Sequence, residues 1–253
     1  MHPIYALWSH PRSMSTAIER IMRERGDLDC AHEPFMYDYY VHRRVREMPH
    51  FEVAPGHPRS YGEIRDMLLD RAAVQPVFIK DMSYYVMPHI LEDAVFLARL
   101  RNMFLIRRPR AAIVSYHKLD PEVTDEEIGI TAQAAQFRAL EARGARAVVI
   151  RAEDVRADPR GMIGALWRAV GLAPADHAFD WQNEVPQDWQ QVEGWHGRVL
   201  QSAGIAPPDP QAETREAERF DALCARAPHV RSLLDRHEPH YRHLSAHALA
   251  PGV

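Results

Sequence analysis

Only two cysteines, Cys30 and Cys224, occur in 253 residues. That is too few, and too widely spaced, for a disulfide framework; the expectation is reduced thiols and a cytoplasmic protein. Cys30 reads as a small buried residue in preference to a reactive thiol. There is no apolar run of transmembrane length, and Arg12 comes too early for a signal peptide, so no membrane partner is expected. Nor is there an excess of positive charge. With 31 basic and 35 acidic residues the net charge is −4, so no global field favours nucleic acid, and any anion site must be local. The 15 histidines are scattered, without HExxH or paired Cys/His spacing, so no metal site is expected. Repeats and low-complexity segments are absent as well. What is present, 46% hydrophobic and 26% charged residues, suits one substantial α/β core with appended structure, or at most two small domains.

The most informative stretch is Ile4–Gly26. An apolar run from Ile4 to Trp8 gives way to a polar turn, Ser9–Thr16, and then to a helix-period segment with Ile18, Ile21 and Met22 on one face and Gly26 to end it. In this strand–loop–helix unit the backbone N–H groups at the helix start, the hydroxyls of Ser13, Ser15 and Thr16, and the Arg12 guanidinium converge on one point. Such a point suits a phosphate or sulfate. The alternative is an ordinary turn whose Ser and Thr cap the helix. The loop has neither Gly nor Lys, which excludes the triphosphate motif GxxxxGK[ST].

Strand and helix patterns then alternate. Asp29–Tyr40 reads as a short strand leading into a loop, with Pro34 favouring extended backbone at Glu33; Glu33 is either an acid fixed near the anion loop or a solvated loop residue. His42–Gly62, carrying Arg43, Arg44 and Arg46, reads as a long surface loop. A helix over Glu63–Ala73 precedes a strand, Val77–Ile79, that places Lys80 at its carboxyl end, where open α/β sheets bind ligands. Another helix is predicted over Pro88–Leu100. Met103–Ile106 is a buried strand running into Arg107 and into a helix, Arg110–Lys118, that contains Ser115. Arg107 and Ser115, eight positions apart, can touch one phosphate lying beside that helix start; otherwise Arg107 is a structural ion-pair partner. Asp120–Ile130 is turn-like, Thr131–Arg143 helical and Ala147–Ile150 a strand. Asp158-Pro159 and Gly171 bracket a well-punctuated helix. Ala173–Pro210, with Trp181, Trp189 and Trp195, wraps the core and forms part of a ligand wall, and two helices, Glu213–Arg226 and Val230–Arg242, follow. This alternation argues for a parallel sheet with helices and a helical C-terminal extension, in a single domain over 1–253 with its core at about 1–172.

Three of these stretches, in this order, resemble the sulfotransferases that use 3′-phosphoadenosine 5′-phosphosulfate (PAPS). SHPRSMST at Ser9–Thr16 is similar to their 5′-phosphosulfate loop. FLIRRPRAAIVS at Phe104–Ser115 is similar to their 3′-phosphate segment, and IRAEDVRADPRGMIGALWRAVGL at Ile150–Leu172 to a third family segment. The resemblance implies a P-loop-type three-layer α/β fold and metal-free sulfuryl transfer to a hydroxyl or amine of a small-molecule acceptor, leaving adenosine 3′,5′-bisphosphate. It implies that Arg12, Ser13, Met14, Ser15 and Thr16 hold the phosphosulfate and that Arg107 and Ser115 hold the 3′-phosphate. Arg12 and Lys80 would stabilise charge on the leaving oxygen. In relatives with a Lys-Thr-His segment a histidine is the base, but Met82 stands there in this chain. Glu33, in His32-Glu33-Pro34-Phe35, instead matches the glutamate of bacterial members and is the expected base, with His32 and Asp81 behind it. Two departures stand out. Met14 replaces a loop glycine, and the Arg-Lys-Gly clamp has no clear counterpart near the C-terminus; Arg198 and the Arg43/Arg44 pair are candidates to stand in for it that the pattern does not favour. The rival readings are a nucleotide- or partner-binding member without turnover and a P-loop kinase; a homodimer is left open.

Overall fold

A computed structural model describes residues 2–49, 51–182, 186–192, 202 and 204–250; Gly194, Trp195, His196 and Arg198 lie outside the described residues. Five short strands form one sheet: β1 (Ile4–Ser9), β2 (Asp29–His32), β3 (Val77–Met82), β4 (Leu100–Ile106) and β5 (Ala147–Arg151). Their order is β2-β3-β1-β4-β5, and every neighbouring pair is parallel. The first strand therefore lies in the middle, and the loop that follows it emerges at the carboxyl edge between β3 and β4.

Side chains alternate across the sheet, as the two-residue period of a strand requires. Ala6, Trp8, Ile79, Phe104, Ile106 and Val149 enter one apolar layer; Tyr5, Leu7, Phe78, Met103, Leu105 and Ile150 enter the other. Both faces are covered, which explains why the strands read as continuous apolar runs. Helix α1 (Ser15–Glu24) packs on the second face through Ile18, Ile21 and Met22, and α2 (Tyr61–Val74) on the first through Ile64, Leu68 and Ala72. The Ser60–Glu63 capping box starts α2, satisfying two of its free N–H groups.

The helix predicted over Pro88–Leu100 does not form. After the short α3 (Ser83–Val86), that region holds a 3-10 turn, His89–Leu91, and one turn of helix, α4 (Ala94–Leu97). Asp93 interrupts it by turning its side chain to accept from the Phe96 N–H at 2.9 Å, which caps a new start in place of a continuing helix. Strand β4 also begins three residues earlier than its apolar run, because Leu100 pairs with Ile4 of the central strand. Likewise β3 continues through Lys80 and Asp81 to Met82, so both charged residues are inside the sheet.

Next come α5 (Pro109–His117), α6 (Asp125–Ile128) and α7 (Ile130–Ala142), which pack in the first layer, and α8 (Ala152–Ala157) and α9 (Pro159–Val170), which pack in the second. The turn-like Asp120–Ile130 thus includes a helical turn, with Thr124 and Glu127 forming its capping box. Helix α9 obeys its punctuation: Asp158 accepts from the Gly161 N–H at 2.9 Å, and Gly171 closes the helix at a φ of 80°. The last two helices, α10 (Ala212–Arg226) and α11 (Val230–Ser245), bury Phe220, Leu223, Leu233, Leu234 and Leu244 in the first layer. Beyond α11 the Leu249 N–H donates to the Val149 carbonyl at 2.8 Å, covering part of the β5 edge.

Candidate functional site

The β1–α1 loop is held in an uncommon backbone shape. Arg12 and Met14 have φ values of 65° and 77°, in the region that favours glycine. Met14 stays there because its side chain packs on the apolar layer around α1, with the Arg156 Nη2 donating to its sulfur at 3.6 Å. As the residue before α1, Met14 provides no side-chain cap, and the Ser13 hydroxyl is buried with no hydrogen-bond partner among the described residues. Ser13 is thus a buried donor left unmatched and not a cap of the helix.

Segment β4–α5 is fastened directly to this loop. Arg12 Nε donates to Ser115 Oγ at 3.0 Å, and Arg107 Nη1 donates to the Arg12 carbonyl at 2.8 Å. The Arg107 N–H donates to His10 Nε2 at 3.0 Å, so the His10 proton sits on Nδ1, 3.1 Å from the Pro11 carbonyl. Burial holds His10 far below the usual histidine range, at about 3, and keeps it a neutral acceptor. Three residues that the sequence places 103 positions apart or less, Arg12, Arg107 and Ser115, thus converge. Burial, and then the positive Arg156, push Arg107 below its ordinary value, against the opposing pull of Glu153 and Glu216.

Beside Arg107 opens a cavity of about 210 Å³, lined by Arg108, Glu153 and Arg156 on one wall and by Pro208–Pro210, Glu213 and Glu216 on the other. Glu153 Oε1 accepts from the Arg108 N–H at 3.0 Å, while its Oε2 is buried and unmatched among the described residues.

A second group of charges lies under the same sheet edge. Lys80 is fully buried, and its Nζ donates to Glu33 Oε1; Tyr85 donates to Glu33 Oε2 at 3.3 Å. Glu33 does not have the extended backbone that Pro34 favours. Its φ is 42°, because the chain turns out of β2 there, with the Glu33 N–H on the Lys80 carbonyl and the Phe35 N–H on Asp81. Strain of this kind in a non-glycine residue persists only where the surroundings enforce it, often at functional sites. The two groups are joined through the sheet: Leu7 pairs with Lys80, and Ser9 Oγ donates to the Asp81 carbonyl at 3.2 Å.

The other two candidates, Asp81 and His32, lie beside Glu33, His32 with its Nε2 3.7 Å from Glu33 Oε1, and each has further partners. Asp81 is fully buried, and its oxygens accept the Phe35 and Met82 N–H groups; burial pushes it well above the usual carboxylate range. His32 Nδ1 donates to Glu19 at 2.7 Å.

The sequence profile described as "Sulfotransferase domain" matches residues 3–237. This chain belongs to the sulfotransferase domain family. A sulfotransferase domain from the curacin biosynthetic pathway superposes with a TM-score of 0.50 at 14% identity, over 89% of this chain and 98% of that one. The sulfotransferase domain of the Synechococcus PCC 7002 olefin synthase superposes with a TM-score of 0.50 at 17% identity, over 88% and 94%. At such identities the likeness establishes the P-loop-type fold alone. Among curated sequences, the branched-chain-amino-acid aminotransferase-like protein 2 of Arabidopsis thaliana is 22% identical over 99% of this chain and 44% of its own length. The chain thus spans less than half of the curated relatives it matches. Among the described residues, no helix is long and apolar enough to cross a membrane.

In this sulfotransferase-family chain the sequence pattern missed Glu19. It lies on α1, fully buried, and accepts from His32, from Trp189 Nε1 at 2.7 Å and from Arg23 Nε at 2.9 Å, with Lys80 Nζ at 3.9 Å. Burial raises its pKa, but His32, Lys80 and Arg23 outweigh burial and hold it well below the carboxylate range. One signal was available: Glu19 is one turn from Ser15 and from Met22, on the edge of the buried face. Trp189, expected in a ligand wall, instead braces this carboxylate. Arg43 and Arg46, expected as a loose basic cluster, are bound to buried acids: Arg43 to Asp38 at 2.6 Å, and Arg46 to Asp120 at 2.7 Å and to Glu127. Arg43 is therefore an ion-pair partner of a buried acid and not part of a solvated charge run. Burial pushes the Cys30 thiol up to about 12, consistent with an inert residue.

Proposed function

We propose that this protein transfers a sulfuryl group from PAPS to a hydroxyl or amine of a small-molecule acceptor, with Glu33 as the base. The observation that carries the reading is the β1–α1 loop: a helix start without a side-chain cap, the unmatched Ser13 hydroxyl, and Arg12 tied to both Ser115 and Arg107. These groups fit a donor with two anionic ends. The loop from Arg12 to Thr16 would hold the phosphosulfate, and Arg107 with Ser115 the 3′-phosphate. When bound, PAPS supplies an activated sulfuryl group and a phosphate leaving group. Arg12 and the α1 N–H groups would stabilise the charge that develops on the leaving oxygen; Arg12, permanently charged, is not its proton donor. Lys80 and Tyr85 fix the Glu33 carboxylate, which accepts the proton of the attacking hydroxyl or amine.

The test is transfer of radiolabelled sulfate from PAPS, in EDTA, across a panel of hydroxyl and amine metabolites. The expected result is at least one labelled acceptor and no consumption of ATP with Mg²⁺. Binding of adenosine 3′,5′-bisphosphate without any labelled acceptor would identify a binder without turnover; Mg²⁺-dependent use of ATP would identify a kinase.

A further inference from the structure

The cavity beside Arg107 carries its own counter-ion. Glu216, in the first turns of α10, sets one carboxylate oxygen 3.0 Å from Arg108 Nε and the other 3.8 Å from Arg107 Nη2, so that it bridges both guanidinium groups. Its side chain is only 19% exposed, and Glu213 lies further out, 3.5 Å from Arg108 but 81% exposed. Even with Glu216 in place, Arg107 remains below its ordinary value because of burial and of Arg156. Arg108 also has Glu153 at 3.8 Å and Glu213 at 3.5 Å, but of the three carboxylates only Glu216 reaches both guanidinium groups with an ion pair. At the same sheet edge, Arg107 is tied through Arg12 to Ser115.

We infer that Glu216 is an internal stand-in for the donor's 3′-phosphate, occupying Arg107 and Arg108 in the free protein and yielding them when the phosphate enters. This rests on the PAPS reading above. A phosphate carries up to two negative charges and three acceptor oxygens, against one charge and two oxygens on Glu216, so it wins the guanidinium groups when both compete. Two like-charged groups do not share so small a site without cost, so Glu216 must turn away toward the cavity mouth with the start of α10. The protein that binds donor is then only a fraction of the free population, which weakens the apparent affinity by that fraction. The same exchange favours departure of adenosine 3′,5′-bisphosphate, since the carboxylate refills the arginines as the product leaves. A nucleotide without a 3′-phosphate has no reason to displace Glu216 and gains nothing from its removal.

Calorimetric titration of the full chain with adenosine 3′,5′-bisphosphate and with adenosine 5′-phosphate tests this, for wild type, Glu216→Gln, Glu216→Ala and the control Glu213→Gln, each checked for folding by circular dichroism. The expected result is that both Glu216 variants bind the bisphosphate about tenfold more tightly, as removal of a competing state requires. Binding of the monophosphate, and of both ligands to Glu213→Gln, stays within about twofold. A bisphosphate affinity that is unchanged or weaker in a folded Glu216 variant overturns the inference while leaving the PAPS reading intact. Absence of bisphosphate binding in wild type and variants alike overturns both.

Discussion

Replacing Glu33 by Gln is expected to lower sulfuryl transfer by about 10²–10⁴-fold while changing the affinity for adenosine 3′,5′-bisphosphate by no more than about twofold. The amide has nearly the same shape and keeps an acceptor for Lys80 and a group for Tyr85, and Lys80 retains the Glu19 carboxylate at 3.9 Å as counter-ion, so the surroundings of residue 33 should persist. What it loses is the ability to take the acceptor's proton. The donor site is built from other residues, those around Arg12, Arg107 and Ser115, so binding there is a separate readout. Kinetics at saturating donor and calorimetry on the same preparation distinguish the outcomes. A variant that turns over at the wild-type rate removes Glu33 from its role, and one that loses both activities points to a collapsed site.

The second large effect concerns stability. Lys80 is fully buried and stands between two carboxylates, Glu33, whose side chain is 7% exposed, and Glu19, which is fully buried. Replacing Lys80 by Met keeps much of the volume but leaves Glu33 without its cation. Breaking a buried pair by removing one partner costs about 3–5 kcal/mol, far more than deleting an exposed ion pair. Urea unfolding at pH 7 should show a loss of this size in Lys80→Met. The double variant Lys80→Met with Glu33→Gln should recover more than half of it, because the stranded charge has gone; Glu19 retains His32 and Arg23. If the double variant is no more stable than the single one, the loss comes from packing and not from charge.

Most of the frame was legible in the sequence because its signals are local. A strand buried on both faces is a short apolar run, and a helix start or stop is a capping residue or a glycine, as Asp158 and Gly171 show in α9. The region from Pro88 to Leu100 was misjudged because its apolar residues also suit a helix, while the decision rested on Asp93, a residue equally ordinary on a helix surface. Of the site, the loop and the Arg107–Ser115 spacing could be recognised, since each is contained in one short motif. The Glu19 network could not. Its members come from α1, β2, β3 and the segment around Trp189, and only folding makes Glu19 the carboxylate around which His32, Arg23 and Trp189 are arranged. Met14 shows the same limit from the other side. By itself it looked like an obstacle in a glycine's place, yet the left-handed backbone is held by packing of its side chain beside α1.

The account depends on the β1–α1 loop and Arg107 together recognising a nucleotide with two anionic ends. Calorimetry in EDTA, comparing adenosine 3′,5′-bisphosphate with adenosine 5′-phosphate on the wild-type protein, tests this most directly. The account predicts that the bisphosphate binds at least about tenfold more tightly, the gain from one additional charge-assisted contact of about 1.5 kcal/mol or more. Equal affinities, or no binding of either nucleotide by the folded protein, would contradict it.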